Sequence, residues 1–217
     1  MEPAWRFSKS FSGYLNSSQF VFGFSVTQVP IELDAILQEI DRALSARLYY
    51  LAIAVSLSIP DICACLECDA SKPIWATPEK YVSWCERNLE GRFQNVAAVD
   101  LFRLRGGVLH QGHFHHPKSR FDRVMFIGPE STIKMHDVVI EVAAGVEFDG
   151  IPAANLKLEG RLLQLDVVAF CETIRDAARD WIISNVNDKN VAANLKNLVR
   201  YRPNGFPPFS VGVPTIA

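Results

Sequence analysis

From Pro30 onward the chain is dominated by apolar residues at helical spacing. Pro30 suits the first turn of a helix, and Ile31, Asp34, Ala35, Gln38, Ile40, Asp41 and Leu44 continue the pattern. The next segment, Leu48 to Ile59, is apolar on almost every side, as in a helix surrounded by others. Pro60 is expected to kink or restart it before Ile62 to Glu67. Thr77-Pro78-Glu79 is a helix start, predicting a third helix to about Leu89. Asn95 is the expected cap of a fourth, with Val96, Val99, Leu101, Phe102, Leu104, Val108 and Leu109 at its apolar positions.

The period then changes. Asp122 to Ile127 and Val138 to Val142 are short β-branched or aromatic runs, predicting two strands of a small sheet or a long hairpin, and Gly145, Gly150 and Pro152 mark loops. Asp166 should cap the last long helix, Val167 to about Val186, and Asp188 a short one through Leu198. The fold class is therefore mainly α, a helical bundle with a small β-hairpin or sheet insertion at about 120–158. Residues 1–28, with the alternating segment Gln19 to Val26, are expected to form an extended arm. The domain proper would span 29–199, and 200–217, rich in Pro and Gly, would be an extended tail.

At 217 residues the chain has the length of one well-cored domain. With 22 basic and 24 acidic residues the net charge is -2, so a nucleic-acid site has to be a local patch. The five cysteines, an odd number with Cys63, Cys65 and Cys68 in one helix, fit free thiols in a reducing compartment, semi-buried or in the core. Their spacing lacks the second pair a zinc site would want. The first residues show no secretory pattern, and no uncharged apolar run approaches the ~20 residues of a membrane span. The expected location is the cytoplasm, with no membrane partner.

Reactive side chains converge most densely between Val99 and His116, VDLFRLRGGVLHQGHFHH. On a regular helix Arg103 and His110 share a stripe, whereas Arg105 and His110 diverge by about 140°. Gly106-Gly107 weakens that regularity, keeping both arginines within reach of His110. An imidazole can take the proton from a ribose 2′-hydroxyl while an arginine fork holds the phosphate, and no metal is required. The plainer alternative is that these cations close a helix C-terminus, where the dipole favours them.

His113, His115 and His116 follow in a short loop. They have no nearby Cys, Asp or Glu to complete a ligand set, so a solvated loop or a substrate contact is expected rather than a metal site. With Lys118, Arg120 and Arg123 beyond them, Val99 to Arg123 holds five Lys or Arg against Asp100 and Asp122, the surplus a phosphate backbone would need. Phosphate-binding loop, dinucleotide-binding, nucleophile-elbow and HExxH motifs are all missing, and no cofactor is implied.

The stretch Phe102-Arg103-Leu104-Arg105-Gly106-Gly107-Val108-Leu109-His110-Gln111-Gly112, after an apolar helix containing Ile59-Pro60-Asp61-Ile62-Cys63, resembles the HEPN superfamily, in particular bacterial members with an Arg-x4-His motif ending in LHQG. The resemblance covers Pro30 to Gly112, with Val167 to Val199 supplying the remaining helices. It implies a helical bundle that dimerises around a composite cleft and acts as a metal-independent endoribonuclease of toxin–antitoxin or antiviral systems. Arg105 and His110 would match the motif, and Arg103 the looser Arg-x6-His spacing. His113, His115, His116, Lys118, Arg120 and Arg123 would contact RNA, and an antitoxin or defence component would be the protein partner. Active members usually place a polar residue after the motif arginine, where this chain has Gly106 after Arg105 and Leu104 after Arg103. The alternative is thus a non-catalytic RNA-binding or protein-interaction module of the same fold.

Overall fold

The structure is a computed structural model that describes residues 28–143, 145–152 and 160–217. The expected arm lies almost wholly outside the described residues, as does the loop at 153–159. The described chain is mainly α, with helices α1 (Ile31–Ser45), α2 (Tyr49–Leu66), α3 (Pro78–Asn88), α4 (Ala98–Gln111), α5 (Val167–Asn185) and α6 (Lys189–Asn194). Strands β1 (Arg123–Ile127), β2 (Val138–Val142), β3 (Glu147–Phe148), β4 (Ile151–Pro152) and β5 (Gly160–Asp166) lie between α4 and α5, and β6 (Tyr201–Arg202) and β7 (Thr215–Ile216) close the chain.

The centre is α2, packed against α1, α3, α4, α5 and α6. It is long and apolar enough by length and composition to cross a membrane, yet over half of it is buried among the other helices. It continues as one helix through Pro60, so of the kink or restart expected there the restart does not occur. A proline inside a helix costs about 3 kcal/mol. Ile53, Leu57 and Ile59 around it are almost completely buried, each worth about 1.5–3 kcal/mol, so packing outweighs the lost hydrogen bond. α1 buries Leu33, Leu37, Ile40 and Ala43, and its opening Ile31 is 72% exposed.

The two predicted strands belong to a sheet and form no hairpin with each other, whereas β3 and β4 pair antiparallel as a short hairpin that takes in Pro152, where a loop was expected. β1 and β2 do not pair with each other; both flank β5, in the order β1-β5-β2, with β1 parallel and β2 antiparallel to it. Leu163 and Leu165 turn to the core, and the Phe126 ring beside them meets Phe170 of α5 edge-on at 5.1 Å. β5 then runs directly into α5, whose cap Asp166 accepts the N–H groups of Val168 and Ala169 at 2.9 Å.

Two further expectations change. The cap of α4 is Ala97, and Asp100 accepts the Ala97 N–H at 3.0 Å. Asn95 instead joins the loop before α4 to the start of β2, donating its side-chain amide to the Asp137 carbonyl at 2.6 Å and its backbone N–H to the Asp137 carboxylate. Nor is the tail simply extended: β6 and β7 pair antiparallel, and Arg200 binds Glu32 of α1 at 2.6 Å.

Candidate functional site

α4 stays helical through Gly106-Gly107 and ends at Gly112, which adopts a left-handed φ of 70°. Its regularity settles which residues share a face. At about 100° per residue, Arg103, Gly106, Gly107 and His110 all fall within about 100° of one another, opposite the core-facing Leu101, Leu104 and Val108. Arg105 lies about 140° away from His110.

The histidine loop folds back onto this same stripe. A Cβ added at Gly107 would sit 2.6 Å from the His113 carbonyl oxygen and 2.5 Å from that of His115, and one at Gly106 would lie 3.7 Å from the His116 ring. Only a residue without a side chain permits so close an approach. Phe114 anchors the loop from within, its ring 5.0 Å from that of Phe126 on β1. The structure therefore lays the backbone of His113 and His115 and the ring of His116 against the glycines of the α4 stripe that also carries Arg103 and His110. Among the described residues neither Arg103, half-buried, nor His110, exposed in the last helical turn, has a hydrogen-bond or ion-pair partner.

Within the loop two imidazoles are held by the backbone. His113 Nδ1 accepts the His115 N–H at 3.3 Å, and His116 Nδ1 accepts the Lys118 N–H at 3.1 Å. That leaves Nε2 of each as the hydrogen-bearing nitrogen in the neutral ring. Among the described residues no group of three or more His, Cys, Asp or Glu side chains is arranged to hold a metal ion.

Arg105 has a different environment. Its Nε donates to the Asp61 carboxylate on α2, and its guanidinium carbon lies 5.9 Å from the centre of the Tyr81 ring and 6.0 Å from that of Phe102. The two charged side chains are only 23% and 17% exposed. Burial pushes the Asp61 carboxyl up from its ordinary range, against the opposing pull of Arg105. Tyr81 is itself fully buried and donates its hydroxyl to the Leu57 carbonyl at 3.1 Å. Arg105 is thus a bridge between α4, α2 and α3.

The basic residues after the loop also divide. Arg120 is committed to the fold: its Nε binds Asp100 at 2.7 Å, its Nη2 donates to the Asn95 carbonyl, and its guanidinium lies 4.8 Å from the Phe121 ring. Lys118 is exposed just past the histidines, and Arg123 is exposed at the start of β1.

Sequence reasoning missed Asp61, Tyr81 and Asp100 as the partners that decide which arginines are engaged. A signal existed for Asp61, the lone charge in an otherwise uncharged helix. Set beside known proteins, the chain matches no family model, no curated protein and no solved structure.

Proposed function

We propose that this chain is a HEPN-like, metal-independent endoribonuclease of toxin or antiviral-defence type, working on the Arg103–His110 face of α4. The observation that carries the reading is the convergence, on one stripe, of an arginine and a histidine without partners among the described residues, beneath a loop of three more histidines. His110 takes the proton from a ribose 2′-hydroxyl, the freed oxygen attacks the adjacent phosphorus, and the 5′-oxygen leaves, giving a 2′,3′-cyclic phosphate end. Arg103 holds the phosphate and offsets the charge growing on it. His113, His115 and Lys118 contact the flanking backbone. Arg105, paired with Asp61, is a positioning residue that fixes α4 against α2.

The same reading makes the protein a homodimer. The first turn of α2 reaches the last turns of α4, where the Tyr50 hydroxyl donates to the Val108 carbonyl at 2.7 Å. Leu48, Leu51 and Leu109, all exposed, lie around that junction and suit a second copy. A specific observation favours a second reading, the non-catalytic RNA-binding or protein-interaction module: the arginine that best fits the motif spacing is already occupied by a carboxylate.

Incubation of RNA with the protein in EDTA separates the two. The nuclease predicts cyclic-phosphate ends, with cleavage lowered about 10²- to 10⁴-fold in His110→Ala and about 10²- to 10³-fold in Arg103→Ala. RNA binding without cleavage, weakened by Arg103→Ala and Lys118→Ala, would instead establish the module. Cleavage equal in wild type and His110→Ala would remove this face from consideration.

A further inference from the structure

Three of the five cysteines, Cys63, Cys85 and Cys171, are buried, and burial pushes all three thiols up, Cys171 to about 11. The other two behave differently. Cys65 and Cys68 are half-exposed, one on the last turn of α2 and the other just past its end. The Cys68 N–H donates to the Cys65 carbonyl at 3.0 Å, so the two residues close one helical turn. Helix geometry puts Cα atoms three residues apart at about 5 Å, inside the ~4.4–6.8 Å that a disulfide spans.

A cation completes the cluster. Lys80, from the first turn of α3, donates its ammonium to Cys68 Sγ at 3.1 Å and is steadied by a second hydrogen bond to the Trp75 carbonyl at 3.0 Å. Cys65 has no such contact: burial pushes its thiol up, and the neighbouring Cys68 and Asp61 add to the shift against the weaker pull of Lys80. Cys68 Sγ also donates to the Ala64 carbonyl at 3.4 Å, so the pair is asymmetric in its contacts, with one sulfur beside an ammonium and the other without one.

We propose that Cys65 and Cys68 form a peroxide-responsive dithiol, in which Cys68 reacts first and Cys65 resolves it to a disulfide. The Cys68 sulfur, giving up its proton, attacks one oxygen of a hydroperoxide, the O–O bond breaks, and the departing oxygen takes up a proton and leaves as water or an alcohol. The Cys65 sulfur, giving up its proton, attacks the resulting sulfenic acid. The S–O bond breaks, a second oxygen leaves as water, and the S–S bond forms. Two thiols are oxidised and one peroxide is reduced. Lys80 offsets negative charge on the attacking sulfur. Cys65 also lines a hollow of about 340 Å³ with Asp61, Ile62 and Leu198, so the disulfide would form one helical turn from the carboxylate that holds Arg105.

The test treats the full chain with hydrogen peroxide, blocks remaining thiols with N-ethylmaleimide and maps peptides by mass. The expected result is a dithiothreitol-reversible loss of two hydrogens that joins Cys65 to Cys68, absent in Cys68→Ser. Lys80→Met, with an unchanged circular dichroism spectrum, should slow the link by about three- to tenfold. Cys65 and Cys68 both recovered alkylated after peroxide would overturn the proposal. A rate unchanged in Lys80→Met would overturn the role of the ammonium.

Discussion

Arg103 and Arg105 are two residues apart on one helix and meet opposite surroundings. Arg105 turns inward to Asp61, Tyr81 and Phe102, where its charge is mostly hidden from water and spent on joining three helices. Arg103 turns to the stripe of His110 and the folded-back loop, and has no partner among the described residues. The difference teaches that motif spacing alone does not identify the working arginine. A regular α4 separates Arg105 from His110 and keeps Arg103 beside it. An arginine already neutralised by a carboxylate is also a poor anion ligand until that pair is broken.

The sharpest way to break the comparison is to remove each arginine in turn. Arg105→Met should cost about 2–3 kcal/mol, somewhat below the full penalty for orphaning one member of a buried pair because both groups keep some exposure. Adding Asp61→Leu to it should restore much of that loss, since the orphaned carboxylate goes with its partner. Arg103→Ala should change stability by less than about 0.5 kcal/mol. Urea unfolding of the four proteins checks this. Equal losses for the two single arginine variants would erase the distinction between the faces.

A somewhat smaller effect tests whether the histidine loop belongs to the Arg103 face. Gly107→Ala forces a methyl against two backbone carbonyls, so the loop must move, at about 1–3 kcal/mol. Gly106→Ala meets only the His116 ring at an ordinary contact distance and should stabilise α4 by roughly 0.5–1 kcal/mol, the usual gain of alanine over glycine inside a helix. If the loop is part of the RNA surface, Gly107→Ala weakens RNA binding and Gly106→Ala does not. Two-state melts and a filter-binding assay on the same samples read both effects.

Much of this frame was legible in the sequence because the signals were local. Thr77-Pro78, Asp166 and Asp188 cap the helices they were expected to cap, and the apolar stripe of α5 is the one buried. What escaped depended on pairing at a distance. β5, Gly-Arg-Leu-Leu-Gln-Leu-Asp, holds no β-branched or aromatic residue and reads as a strand only once β1 and β2 lie on either side of it. The unbroken α2 depends on neighbours that Pro60 gives no hint of. In the candidate site, Gly106-Gly107 read as a weakness in the helix that would let Arg105 swing toward His110. Gly107 is instead where another stretch of backbone comes to rest. Which arginine is free was decided by Asp61 and Asp100, far away in sequence from Arg105 and Arg120.

The gentlest probe of the inward face is pH. Burial raises the Asp61 carboxyl above its ordinary 3.8 even with Arg105 alongside, so the folded chain holds that proton more tightly than the unfolded one. The sign follows: the contribution of Asp61 to stability is fully present below 3.8 and is lost as pH rises through the folded value. Asp61→Asn has no such proton to lose. The stability of the wild type relative to Asp61→Asn should therefore fall as pH is raised from below 3.8, and level off once the carboxyl is ionised in both states. The comparison of two curves cancels the other carboxylates, which titrate alike in both proteins. A difference that instead grew with pH would mean that Arg105 outweighs burial at Asp61. The pair would then be a strong ion pair rather than a strained one, and the inward arginine would be still harder to recruit for RNA.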